Sequence, residues 1–391
     1  MNHQNILLTG ATGTVGQHIL FELLRHFIDL GKEGKIHLVI RRNASFSAQE
    51  RAKVLLSSPF LPEYLQEFSL EQLLSKILVI DLDLNTDLQR FDFCLSEADN
   101  VCVIHCAAST NLMSSEAVEH KIRKVNHEAT LNFLMACSKF AKKFIFVSTA
   151  FACGVRSGQI NDQYLEQIQT EFRNPYERYK NLTEKALASF CEENQMPYQI
   201  LRPSIVCGRL LDETLYYTPK FDVFYGYMKF FYKIMQTPLA ELPLRIVAKP
   251  DVVHSNVIPV DYVAKVVLKV FEREDILQLN IVHPESVPLA RSLPAMIGIN
   301  GYDRYEIVDR MPQSLNPLEK AYYAEAGNAN TAYLAGPSFE FDASAVQQLV
   351  PELSPPSILV HLDSLFEFAT KYEFNNLLRW KKPVVASSLK I

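Results

Sequence analysis

Paired cysteines, long apolar runs and an excess of basic residues are all missing from this sequence. The seven cysteines, at 94, 102, 106, 137, 153, 191 and 207, include no C-x-x-C pair and no zinc-like spacing. They read as reduced thiols, several in apolar runs, as in a cytoplasmic protein. No apolar stretch reaches the ~18 residues of a membrane-crossing helix. The N-terminus "MNHQNILLTG" runs straight into an expected strand, so no signal peptide is expected there. The net charge is −5, which argues against a broad nucleic-acid footprint. Neither an internal repeat nor a low-complexity tract is found. Glycine is also scarce, at 13 of 391 residues, so its clustering near the N-terminus is informative.

What is present is a rhythm. Apolar runs at 5–10, 36–42, 77–84, 101–108, 143–150 and 198–206 alternate with helix-length segments at 17–31, 45–75, 115–140 and 175–194. Each run is apolar on successive residues, the pattern of strands buried on both faces of a parallel sheet. The fold class expected is α/β, a doubly wound parallel sheet of Rossmann type with a smaller mixed C-terminal substrate region. The rhythm breaks after about residue 206. Residues 255–273 read as a strand end and an amphipathic helix, and 277–284 as a further strand. The expected division is a dinucleotide-binding domain from 1–206 plus about 255–280, and a substrate-binding region from 207–254 and 281–391. The aromatic segment 216–234 has three readings: core, an acyl channel or lid, or a membrane-surface contact.

"TGATGTVG" (9–16) places Gly10, Gly13 and Gly16 between the first strand and the first helix. Such glycines allow a tight turn, close approach to a pyrophosphate, and helix-on-strand packing. The helix N-terminus adds free N–H groups and a positive dipole end. A site preferring NAD usually carries an acid at the end of the second strand; here Arg41 and Arg42 stand there. Two arginines suit a 2′-phosphate, which predicts NADP(H); the alternative is that both are solvated surface residues. Asp83, after the third strand, is a candidate for the adenine edge.

Tyr176 and Lys180 are four residues apart in "NPYERYKNLTEKAL", so a helix puts them on one face. An ammonium beside a phenol favours phenolate and lets tyrosine exchange a proton with a carbonyl oxygen. Spacing alone does not decide it, since Tyr216/Lys220 and Tyr225/Lys229 share it. Only Tyr176/Lys180 follows the fifth strand, whose C-terminal end faces the cofactor cleft in this topology. Tyr179 reads as a packing residue. Ser148 and Thr149 end that strand, and strand alternation leaves only one of them facing the substrate oxygen.

Taken in order, "TGATGTVG", "HCAAS", "VNHEAT", "FVSTA", "YERYK" and "RPS" resemble an extended short-chain dehydrogenase/reductase. "RPSIVCGR", "VIPVDYVAKVV" and "FEFDASAVQQL" are similar to the fatty acyl-CoA reductase and thioester reductase (male-sterility-like) branch. The resemblance is strong over about 1–210, fair over 255–285 and weak beyond. It implies that Tyr176 is the proton donor, that Lys180 holds the nicotinamide ribose, and that Thr149 and Asn126 complete the catalytic set. It further implies cofactor contacts from Thr9, Gly10, Thr12, Gly13, Thr14, Val15, Gly16, Arg41, Arg42, Asp83, Leu84, Ala107, Ala108, Tyr176, Lys180, Pro203 and Ser204. "LDL" at 82–84 departs from the branch's usual "GDL". The implied activity is NADPH-dependent reduction of an acyl thioester, on CoA or a carrier protein, to aldehyde or alcohol. With no adenylation, carrier-protein or second catalytic domain attached, a stand-alone reductase, or one working with a separate carrier, is expected. The alternatives are an oxidoreductase or epimerase acting on a sugar nucleotide, sterol or other ketone or secondary alcohol, and a non-catalytic NADP(H)-binding protein.

Overall fold

A computed structural model describes residues 5–378 except 32, 87 and 89–91. Seven parallel strands form the central sheet: β1 (Asn5–Thr9), β2 (Ile36–Ile40), β3 (Ile77–Asp81), β4 (Val101–His105), β5 (Ala141–Val147), β6 (Tyr198–Pro203) and β7 (Gln278–Ile281). Their spatial order is β7-β6-β5-β4-β1-β2-β3. Helices cover both faces, which is why these strands are continuous apolar runs: Val101 to Ile104, for instance, are all fully buried. The order reverses between β1 and β4, and ligands of open α/β sheets bind at that switch point, beyond the strands' carboxyl ends.

Three expected elements differ in detail. Segment 45–75 is not one crossover helix but three short ones, Ala48–Leu56, Glu63–Gln66 and Leu70–Ser75. Pro59 and Pro62 interrupt the chain, and Ser47 and Ser69 each start a new helix with a capping box. Segment 115–140 is helical but carries a π-helical turn over Arg123–Glu128, where Asn126 exchanges two 2.8 Å hydrogen bonds with the backbone of Ser109. The run 198–206 splits after β6: Ile205–Cys207 leaves the sheet and pairs in parallel with Val257–Pro259.

Residues between 218 and 334, outside β7 and the helix Val260–Val270, supply the wall facing the strand ends. An aromatic-rich cluster gathers Tyr227, Phe230, Phe231, Tyr302 and Tyr322, and a second one gathers Phe221, Phe224, Tyr225, Phe366 and Phe374. Two later segments return to the first part of the chain. Phe339–Phe341 pairs with Gly158–Ile160, and Val346 and Val350 join the core of the central sheet.

Candidate active site

The turn after β1 is shaped by close backbone contacts. Gly10 has φ +78°, and a Cβ there would lie 2.6 Å from the Ala107 nitrogen. A Cβ on Gly16 would lie 2.3 Å from the Gly10 carbonyl oxygen. The helix Thr14–Asp29 begins at Gly13, with no side-chain cap and no acid in its first turn. Its leading N–H groups are left for a ligand, and such a terminus suits a pyrophosphate. The steric cradle and the uncapped start therefore fit a dinucleotide.

Beneath this turn, Thr9 Oγ accepts from the backbone N–H of Cys106 and of Ala107, both at 3.2 Å. Its own proton is then directed to His105 Nδ1, 2.9 Å away, and His105 Nε2–H reaches Thr130 Oγ at 3.0 Å. The network assigns the tautomer, and burial depresses the imidazole pKa to about 3. Neutral His105 thus joins the ends of β1 and β4 and holds the Cys106–Ala107 loop under the glycine turn.

The helix Pro175–Glu193 starts beside the same cleft. Asn174 caps it by accepting from Glu177 N–H at 3.0 Å, and Pro175 occupies the first helical position. Tyr176 is half-buried, and it lines the cleft together with Thr149. Lys180 is buried; its Nζ donates to the Val147 carbonyl at 2.8 Å and lies 4.4 Å from the centre of the Phe146 ring. Burial lowers the Lys180 ammonium to about 8, opposed by Cys106 and Glu184. An acidic phenol was expected, but the structure holds Tyr176 above its ordinary value. Burial is the main cause, then the Cys106 and Glu177 charges, while the nearby Thr149 hydroxyl acts the other way. Lys180, the expected source of acidification, has its ammonium turned to a strand-end carbonyl.

A cavity of about 290 Å3 brings together Gly10, Gly13, Thr14, Val15, Gly16, Ala108, Thr149, Tyr176, Lys180, Pro203 and Ser204. Ser148 also lines it, although strand alternation pointed to one of the two hydroxyl residues. Ser148 and Ser204 are each 6% exposed, and neither hydroxyl has a hydrogen-bond partner among the described residues. Thr9, Thr12, Ala107 and Asn126 stand outside the cavity lining, Thr9 and Asn126 buried as supports beneath it. Arg41 and Arg42 are exposed at the end of β2 and pair with Asp83 at 3.2 Å and Asp81 at 2.7 Å. Leu84 is half-buried at the edge of the core on the other sheet face. Tyr179 is buried, as its packing role required.

The far wall comes from residues that no motif marked. Phe224, Tyr225, Tyr227, Leu289, Met296 and Leu334 make it largely apolar. Tyr333 is bound at 2.6 Å to both Glu177 and Asn174, at the start of the Tyr176 helix. The aromatic segment is therefore both core and cavity wall: Phe230 and Phe231 pack inward while Phe224, Tyr225 and Tyr227 also face the cavity.

A model of the male sterility protein family, an NAD-binding family, matches residues 8–267. The chain belongs to this family. It is thereby an oxidoreductase of the extended short-chain dehydrogenase/reductase type, with a nicotinamide cofactor. Mouse fatty acyl-CoA reductase 1 is 30% identical over 158 residues, 38% of this chain and 28% of the relative. Human fatty acyl-CoA reductase 2 is 27% identical over 237 residues, 52% of this chain and 43% of the relative. These matches span less than half the length of either relative. Among solved structures, the terminal R domain of the myxalamid PKS-NRPS pathway superposes with a TM-score of 0.67 at 18% identity, covering 95% of this chain and 91% of that one. A thiolation-reductase di-domain from an archaeal non-ribosomal peptide synthetase gives 0.63 at 20%, covering 95% and 76%. UDP-glucuronic acid 4-epimerase from Bacillus cereus gives 0.61 at 18%, covering 94% and 99%. At these identities the structures support the fold alone. Among the described residues no helix is long and apolar enough to cross a membrane.

Proposed function

We propose that the protein reduces an acyl thioester, carried on CoA or on a carrier protein, using NADPH. The observation that carries this reading is one cavity that joins the glycine turn, the Thr149–Tyr176 hydroxyl pair and Lys180 to a largely apolar far wall. The dinucleotide, when bound, supplies hydride to the carbonyl carbon. Thr149 and Tyr176 hydrogen-bond the carbonyl oxygen as charge develops there, and Tyr176 delivers its proton to it. The adduct then collapses to aldehyde and free thiol. Lys180 holds the ribose and, turned from the Val147 carbonyl, brings positive charge to the phenol. Asn126 acts indirectly: it anchors Ser109 and accepts on its backbone carbonyl from Thr183 of the Tyr176 helix. Arg41 and Arg42 receive the 2′-phosphate, Arg41 exchanging it for Asp83.

The division of labour proposed is a cofactor domain from 1–206 with about 255–280, and a substrate region from 207–254 and 281–391. The apolar chamber suits an acyl chain, and the fatty acyl-CoA reductases among the relatives support that class. Incubation with NADPH and a series of acyl-CoAs should consume cofactor and release aldehyde and free CoA. Consumption with ketones or sugar nucleotides but with no thioester would overturn the proposal. That second reading draws on Ser255, Ser292 and Asn330, polar residues in the same wall.

A further inference from the structure

The geometry points to Lys220 as a binding residue for the phosphate oxygens of the dinucleotide, brought from the substrate region onto the glycine turn. The proposal rests on the nucleotide reading of that turn. Among the described residues only two cations line the cavity, Lys180 and Lys220. The first is held by the Val147 carbonyl. The Lys220 side chain is half-buried, and its ammonium has no hydrogen-bond or ion-pair partner among the described residues. Asp222, two residues on, faces the same cavity and forms no ion pair with it.

The neighbouring chain sets where this cation can reach. Tyr217, three residues earlier, is fully buried and donates to Gln17 Oε1 at 3.3 Å, and it stacks on Phe60 at 4.7 Å. Gln17 lies one turn into the helix Thr14–Asp29, its N–H bonded to the Gly13 carbonyl at 3.0 Å. A chain advances at most about 3.5 Å per residue, so three residues keep the Lys220 backbone within about 10.5 Å of that of Tyr217, and Lys220 lines the same cavity as Gly13, Thr14 and Gly16. Two further bonds hold it there: Thr218 Oγ donates to the Lys220 carbonyl at 2.9 Å, and Leu377 N–H donates to the Pro219 carbonyl at 3.0 Å. The turn supplies only backbone N–H groups and a dipole, with no side-chain cation, for a ligand carrying two negative charges. A lone ammonium across the cleft supplies the missing countercharge.

Calorimetric titration of the full chain and its Lys220→Met and Lys220→Arg variants with ADP-ribose tests this, because ADP-ribose has the pyrophosphate but no nicotinamide. The expected result is about tenfold weaker binding in Lys220→Met, near-wild-type binding in Lys220→Arg, and unchanged thermal stability in both. Salt should weaken wild-type binding more steeply than that of Lys220→Met. A parallel arm compares S-acetyl phosphopantetheine with S-acetyl pantetheine. If Lys220→Met erases only the preference for the phosphorylated form and leaves ADP-ribose unaffected, the cation serves a substrate phosphate and the proposal is overturned. Unchanged binding of every probe also overturns it. Failure of the wild-type chain to bind ADP-ribose or NADPH would instead remove the nucleotide reading on which it rests.

Discussion

Tyr176 depends on groups that a spacing pattern does not contain. It shares the cavity with Thr149 and is followed by the buried Glu177, and burial holds its proton on. Replacing it with Phe removes the donor but leaves the cavity walls, so turnover should fall at least about 100-fold while the NADPH dissociation constant changes little. Unchanged turnover would revive the non-catalytic alternative. Lys180, lowered to about 8, carries its charge only below that pH. NADPH affinity should therefore decline as pH rises through about 8, and a binding titration of Lys180→Met should lack that limb. At the end of β2, Arg41→Ala should weaken NADPH binding about tenfold and leave NADH nearly unaffected, because only the former has a 2′-phosphate for the guanidinium.

At the scale of elements, the strand–turn–helix unit and the β1–β4 junction decide whether a cleft exists. A Cβ at position 16 would strike backbone that cannot step aside, so Gly16→Ala should abolish dinucleotide binding in calorimetry while most of the fold survives. The His105 network makes the same junction pH-sensitive. His105 is neutral in the folded chain down to about pH 3, whereas an unfolded histidine takes up its proton near 6.5. Between those values the unfolded chain binds more protons, so stability falls as pH drops from about 6.5 toward 3 and is unaffected above it. The loss amounts to at most about 5 kcal/mol. Urea unfolding of His105→Gln across that range should give a flatter profile, from a lower starting stability.

Across the whole molecule, the substrate wall and the catalytic helix are one construction. Tyr333, near the end of the helix Ala326–Leu334, binds Glu177 and Asn174 across more than 150 residues of chain, and Arg173 lies 5.4 Å over its ring. Tyr333→Phe should cost about 1–3 kcal/mol in urea unfolding, since Glu177 is fully buried and loses a donor. It should also lower turnover, because the start of the Tyr176 helix is loosened. The return of Phe339–Phe341 to the Rossmann side makes the far C-terminal segment part of the first core, as well as of the wall.

Local chemistry in the chain determined the doubly wound sheet, the glycine turn and the placing of Tyr176 and Lys180 on one helix. Each depends on residues close in sequence: apolar runs that must be buried on both faces, glycines where a Cβ would collide, and a helix that brings i and i+4 together. Only the tertiary structure decided how Lys180 is held, that Ser148 and Thr149 both reach the cavity, and that Lys220, Tyr333 and Phe224 line the same cavity as Tyr176. These depend on separations of tens to hundreds of residues, on the break after β6 at Ser204, and on a wall whose aromatic residues look the same in sequence whether they fill a core or line a chamber. Packing chooses between those two, and packing is a property of the assembled chain.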